Sequence, residues 1–240
     1  MMKRVLCTIL ALIMVLSLCA CGSGEEAETT AATEVQETAT ATEATQSAET
    51  VDPNETPEEK VARLFDVARY EDEVYIDEFM HESLPNEMQA YGKTLTFGKS
   101  FDETMAVGLT VWYDHDANVG DSAFELHYED IRCKDEEGRP LSVGFTGEPG
   151  EKIGDTGVLY AVSLDTYENE EAFSFAIGQT TEKSTLDELV ETWGQPCGLG
   201  VYTDGYVELE YITTDRSASL EFVYDLNADR IIEVRLTNEG

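Results

Sequence analysis

From about residue 93 onward, apolar and polar residues alternate with a period of two, in short runs separated by clusters of turn-forming residues. The clearest runs are Leu141/Val143/Phe145, Val207/Leu209/Tyr211, Leu220/Phe222/Tyr224 and Ile232/Val234/Leu236. Leu95/Phe97, Val107/Leu109/Val111/Tyr113, Phe124/Leu126/Tyr128, Val158 to Leu164 and Phe173/Phe175/Ile177 follow the same rhythm. A period of two places alternate side chains on opposite faces of an extended chain, so each run predicts a strand. The breaks between them, "DHDANVGD", "DEEGRP", "GEPGEKIGDTG", Asp204-Gly205 and "DLNADR", carry the residues that turns need. Successive strands without long helices between them predict antiparallel sheet, with one face buried and the other wet.

Elsewhere the period lengthens to that of a helix. Thr56-Pro57-Glu58-Glu59 is a capping box with proline at the first helical position, and Val61, Leu64, Phe65 and Ala68 then form one apolar stripe. A second helical stretch is predicted over Val74, Ile76, Phe79, Met80 and Leu84, stopping before Pro85; its His81 reads as a surface or packing residue. Thr185 and Glu188 form another capping box. Behind it Leu186, Leu189, Val190 and Trp193 make a stripe about two turns long, ended by Gly194 and Pro196. Every residue of that stretch has a structural task, so it reads as scaffold. The predicted fold class is α+β: an N-terminal helical segment, antiparallel sheet, then a C-terminal module of one short helix and four strands.

The start of the chain adds an address. Lys3 and Arg4 precede the apolar run Val5 to Ala20, which is shorter than a comfortable membrane span. It ends in Leu18-Cys19-Ala20-Cys21, which resembles the bacterial lipobox. That resemblance implies cleavage before Cys21, lipidation of its thiol, and a lipid anchor in the cell membrane facing outward. Residues 22–56 are acidic and rich in Thr, Ala and Glu, with no Lys or Arg. Such a composition predicts a disordered tether, because too little apolar surface is available to offset ordering entropy. The expected divisions are a lipoprotein signal peptide (1–20), lipidated cysteine and tether (21–56), helical segment (57–92), antiparallel β region (93–170) and C-terminal module (171–240).

"FAIGQTTEKSTLDELVETWGQP" followed by "YVELEYITTDRSASLEFVYDLNADRIIEVRL" is similar to the module of SmpA/OmlA-type outer-membrane-assembly lipoproteins and of β-lactamase-inhibitor-like proteins. It looks closer still to uncharacterised lipoproteins of Gram-positive type that end in such a module. The resemblance, over Ala172 to Leu236, implies a scaffold or protein-binding surface and no catalytic residues. "LTFGKSFDETMAVG", Leu95 to Gly108, reads as an earlier copy of the same opening, which would make a tandem repeat. It lacks a clear helical stripe and the Gly-x-Pro stop.

Charge narrows the partners. With 50 acidic and 15 basic residues the formal net charge is −35, which repels phosphate backbones and anionic lipids and favours cationic partners. Candidate chemistry is thin. Asp114, Asp116, Asn118 and Glu125 follow a calcium-loop spacing, but the glycine, Gly120, falls one position late and the flanks read as strands. Asp225, Asn227 and Asp229 repeat the spacing, where an Asx-rich turn explains it better. Cys133 and Cys197 would remain after processing and are free to pair in an exported protein. His115 and His127 lie near Cys133 in sequence without any nucleophile signature. Tyr202, Tyr206 and Tyr211 suggest either a binding surface or ordinary sheet residues. The leading expectation is a non-enzymatic, membrane-anchored, extracytoplasmic binding or scaffold module without cofactor, whose partner is an envelope or extracellular protein. The alternatives are a calcium-dependent surface adhesin or sensor and a cell-wall hydrolase.

Overall fold

Thr56 opens the first helix as its sequence dictates. In a computed structural model, its hydroxyl accepts the N–H of Glu59 at 3.3 Å and the Glu59 carboxylate accepts the N–H of Thr56 at 2.9 Å. The structure describes residues 55–72, 74–112, 119–167 and 172–239. Helix α1 (Pro57–Leu64) buries Val61 and is followed by α2 (Val67–Asp72).

The second predicted helix does not continue to Pro85. Only a 3₁₀ turn forms, at Asp77–Phe79. The reason is tertiary: Ile76 donates its N–H to the carbonyl of Cys197, and His81 donates its own to that of Ile212. Those bonds fasten the segment to a distant strand, and Val74 is left exposed. The β pattern also begins earlier than predicted, inside the expected helical segment 57–92. Strands β1 (Glu87–Ala90) and β2 (Lys93–Thr96) form a hairpin turned by Tyr91-Gly92, both at positive φ.

After it come α3 (Phe101–Met105), β3 (Thr110–Val111), β4 (Tyr128–Lys134), β5 (Pro140–Thr146), α4 (Ile153–Thr156) and β6 (Val158–Asp165). Two predicted runs fail here. Val107 and Leu109 follow a helix that Ser100 and Glu103 cap reciprocally, and Leu126 is exposed before β4 begins. The second half has β7 (Phe175–Ile177), β8 (Thr180–Thr181), α5 (Leu186–Trp193), β9 (Gly198–Val201), β10 (Tyr206–Ile212), β11 (Ala218–Asp225) and β12 (Arg230–Asn238). Helix α5 matches its sequence: Thr185 caps it, Leu186 and Leu189 are fully buried, and Gly194 ends it at φ +77°.

Two antiparallel sheets result, one of four strands in the order β2-β1-β7-β8 and one of eight in the order β3-β4-β5-β6-β12-β11-β10-β9. With five short α-helices among the described residues, the fold is mainly β rather than an even α+β. Both strand orders read alike from either end. Each half supplies a hairpin, a capped helix and four strands, and the halves meet where β6 pairs β12 and β1 pairs β7. The large sheet therefore crosses the expected division at residue 170. Its inner face carries Val143, Val162, Val234, Phe222 and Leu209, which join Met88, Leu95, Ile177 and Leu186 in one core. Phe175 lies 6.3 Å from Phe222 and Trp193 6.2 Å from Tyr211, so the small sheet and α5 both cover this face.

Candidate functional site

Alternation that sends Leu209, Phe222 and Val234 inward sends a different set outward. On β10 these are Glu208 and Glu210, on β11 Ser219, Glu221 and Val223, and on β12 Glu233, Arg235 and Thr237; all remain partly exposed. Strand register fixes who meets whom. Glu210 stands directly opposite Glu221, which stands opposite Arg235; Glu208 and Glu233 both flank Val223, on the diagonals from Glu221. Four glutamates thus gather on three neighbouring strands of the open face.

Arg235 offsets part of the charge of Glu221 and Glu233, without outweighing burial and the neighbouring carboxylates. The hydroxyl of Tyr75 donates to Glu210 at 3.4 Å and that of Tyr202 to Glu208 at 2.5 Å. Arg235 lies 3.6 Å from Asp130 on β4, so its guanidinium extends across the sheet away from Glu210. Strands β6 and β5 lie between the two, and the Asp130 carboxylate leans over Gly144 of β5, where a Cβ would come within 2.5 Å of it and 2.6 Å of the Tyr160 ring. Tyr160 donates to Asp130 at 3.2 Å and packs 4.9 Å from Tyr128, which places a tyrosine pair on the far half of the face.

Proton affinities follow from this layout. Burial, then the nearby charges of Glu208, Glu233 and Glu210, push the Glu221 carboxyl up to about 6. Glu210 is raised by burial and by Glu208 despite the Tyr75 hydrogen bond, and Glu233 by burial and Asp165. A carboxyl raised in this way binds its proton more tightly folded than unfolded. The stability it contributes is complete below its ordinary value of 4.5 and is lost as pH rises through about 6. Glu221→Gln should therefore stabilise the protein at pH 8 by about 1 kcal/mol, once the solvent screening of a half-exposed group is allowed for. At pH 4 it should have little effect. Urea unfolding at the two pH values checks this, and an equal effect at both would contradict the carboxylate layout.

The predicted site residues fare unevenly. Cys21, Asp114, Asp116 and Asn118 lie outside the described residues, and Glu125 is exposed. Among the described residues no three acidic, histidine or cysteine side chains are grouped to hold a metal ion. Asp225 accepts the N–H groups of Asn227 and Ala228, an Asx turn, while Asp229 is held by Lys60 and Tyr224. The disulfide expectation is corrected: Cys133 and Cys197 are both free and buried. Cys133 sits on β4 and Cys197 bonds β10 beside β9, so six strand spacings of the sheet separate them, roughly 29 Å. A bridge needs Cα atoms within about 7 Å. Burial raises both thiols, that of Cys133 to about 12, which disfavours the thiolate.

The three tyrosines divide. Tyr211 is fully buried against Trp193, whereas Tyr206 shares the outward set of β10 and Tyr202 reaches the same face through Glu208. The glutamate group itself escaped sequence reading because fifty acids offer no local mark of which will meet. The signal was the parity of Glu208, Glu210, Glu221 and Glu233 within three strands whose turns set the register. No protein-family model, curated protein or solved structure matches the chain.

Proposed function

We propose that the chain is a lipoprotein anchored through Cys21 to the outer side of a membrane, whose β domain is a non-enzymatic protein-docking module. The observation that carries this reading is the broad open face of the eight-stranded sheet, with its shaped relief of carboxylates, tyrosines and hydroxyls. Interfaces of this kind combine aromatic anchors with a polar surround. Hydrolysis is disfavoured because the raised carboxylates stand on an open sheet where water is not excluded. Two of the larger hollows, beside α5 and beneath α2, include none of them. The lipobox and the acidic segment 22–56 support the anchor and its leash, and the helix-plus-four-strand order of residues 186–238 supports the likeness to SmpA/OmlA-type modules. The matched halves support reading the fold as a duplication, with its first copy beginning one hairpin before α3.

Labelling with a radioactive fatty acid should mark the wild-type chain and leave Cys21→Ser unmarked. Pulldown from intact envelopes should enrich a partner with the anchored form and lose it with a variant altered on the open face. An unlabelled wild-type chain would remove the anchor; enrichment that ignores the open face would remove the docking site.

A further inference from the structure

Residues 55–72 stand apart from the repeated plan of the fold. Both sheets are built from β1 to β12, so every strand keeps its neighbours whether or not α1 and α2 are in place. The two helices are short, eight and six residues, and helices of that length need a surface to lie on. Theirs is narrow. Val61 and Phe65 reach the core, whereas no described side chain of α2 is buried. A hollow of about 510 Å³ separates α1 from the β9–β10 turn, and one of about 580 Å³ opens beneath α2, beside Phe65, Tyr70 and Phe79. What fastens the segment besides Val61 and Phe65 is polar. Lys60 pairs with Asp229 at 2.5 Å, and the Arg63 guanidinium bridges Glu55 and Asp187, each at 2.6 Å. The Gln195 amide donates to the Leu64 carbonyl at 3.0 Å, and the Tyr70 hydroxyl to that of Pro196 at 2.9 Å. Arg69 pairs with Glu78 and lies over the Phe79 ring. Beyond α2 the character changes: Ile76 is buried and its N–H is bonded to the Cys197 carbonyl, so from there the chain is fixed to the large sheet.

We propose that residues 55–72 form a latch, which swings away from the body as one piece while both sheets stay folded. Segments that open on their own are those with few buried apolar contacts and exposed polar ties, and this one has both features. The geometry also gives the end from which it is released. The preceding chain joins the domain at Glu55, and Arg63 holds that residue and α5 together. Drawing Glu55 away takes one carboxylate from the bridge and leaves Arg63 with Asp187 alone. A pull along the chain from its N-terminal side therefore loads the latch before it loads any strand. Opening uncovers the ring of Tyr224, over which Lys60 lies at 5.8 Å, and the seats of Val61 and Phe65, all of them closed in the latched form. The inference does not depend on docking at the open face, and either can fail without the other.

The test is native-state hydrogen exchange of the full chain, read at amides on both sides of the proposed boundary. Lys60, Phe65 and Arg69 donate to Thr56, Val61 and Asp66 within the latch, while Ile76 donates to Cys197 outside it. The first three should exchange at least about a hundredfold faster than the amide of Phe222 in β11. Arg63→Met should speed all three by about tenfold, and Glu55→Gln by about threefold, with Ile76 and Phe222 unchanged within about twofold. Exchange of Lys60 and Phe65 as slow as that of Phe222 would mean that the segment opens only when the whole domain does, and would overturn the latch. So would an Arg63→Met effect that is equal at Lys60 and Phe222. An effect at Lys60 that leaves Arg69 behind would reduce the opening to fraying of one helix, which also overturns it. If Glu55→Gln leaves α1 as protected as in the wild type, release from the Glu55 end is wrong.

Discussion

Replacing Phe222 with alanine should cost the protein about 3–5 kcal/mol, the range for deleting a fully buried aromatic ring. Phe222 is fully buried at the middle of β11, between Leu209 of β10 and Val234 of β12. Its ring meets Phe175 of the small sheet, Trp193 of α5 and Tyr211 of β10 at 6.3, 6.4 and 6.3 Å. The cavity would therefore open where three elements meet, and none can close it without losing register. Val223, the next residue on the same strand, faces outward and is only partly buried. Its alanine variant should lose less than about 1 kcal/mol. Urea unfolding of the pair decides the matter. If both lose the same, the assignment of inner and outer faces is wrong and the docking surface goes with it.

That contrast between neighbours was available from sequence, because parity within a strand is a local property. Runs such as Leu141/Val143/Phe145 and Leu220/Phe222/Tyr224 became strands in the expected phase. Capping boxes at Thr56 and Thr185 started helices for the same reason, since their partners lie three residues away. Failures occurred where the deciding bond is remote. Residues 74–84 have helical spacing, yet the N–H groups of Ile76 and His81 find carbonyls more than a hundred residues later. Tyr211 carries a hydroxyl and looked eligible for the surface, yet parity with Val207 and Leu209 buries it; its hydroxyl reaches the Gly194 carbonyl at 3.4 Å. The acidic group on the open face belongs to both classes. Outward parity of each glutamate was legible, but the meeting of Glu210 with Glu221 depended on how β10 and β11 align.

Asp135 shows how such remote arrangement turns one polar side chain into a structural requirement. Its side chain is completely buried in the turn between β4 and β5. One carboxylate oxygen accepts the N–H groups of Glu137 and Arg139 at 3.0 and 2.9 Å; the other accepts Nε of Arg139 at 2.7 Å and pairs with its Nη2. The guanidinium so held lies 4.7 Å over the ring of Tyr91, whose hydroxyl donates to the Pro140 carbonyl at 2.7 Å. Tyr91 turns the β1–β2 hairpin, so this carboxylate joins the small sheet to the large one. Asp135→Ala should cost about 2–4 kcal/mol, because it strands buried donors and releases the guanidinium from its stack. Burial pushes the Asp135 carboxyl up, but the Arg139 and Glu137 hydrogen bonds outweigh it and hold it below its ordinary 3.8. The stability it contributes is thus present above that value and is lost as pH falls through the depressed one. Wild type and Asp135→Asn should accordingly differ at pH 7 and converge in strong acid, the reverse of the trend at Glu221. Urea unfolding of Asp135→Asn that shows the same deficit at pH 2 as at pH 7 would mean that the charge of Asp135 is not what binds the turn.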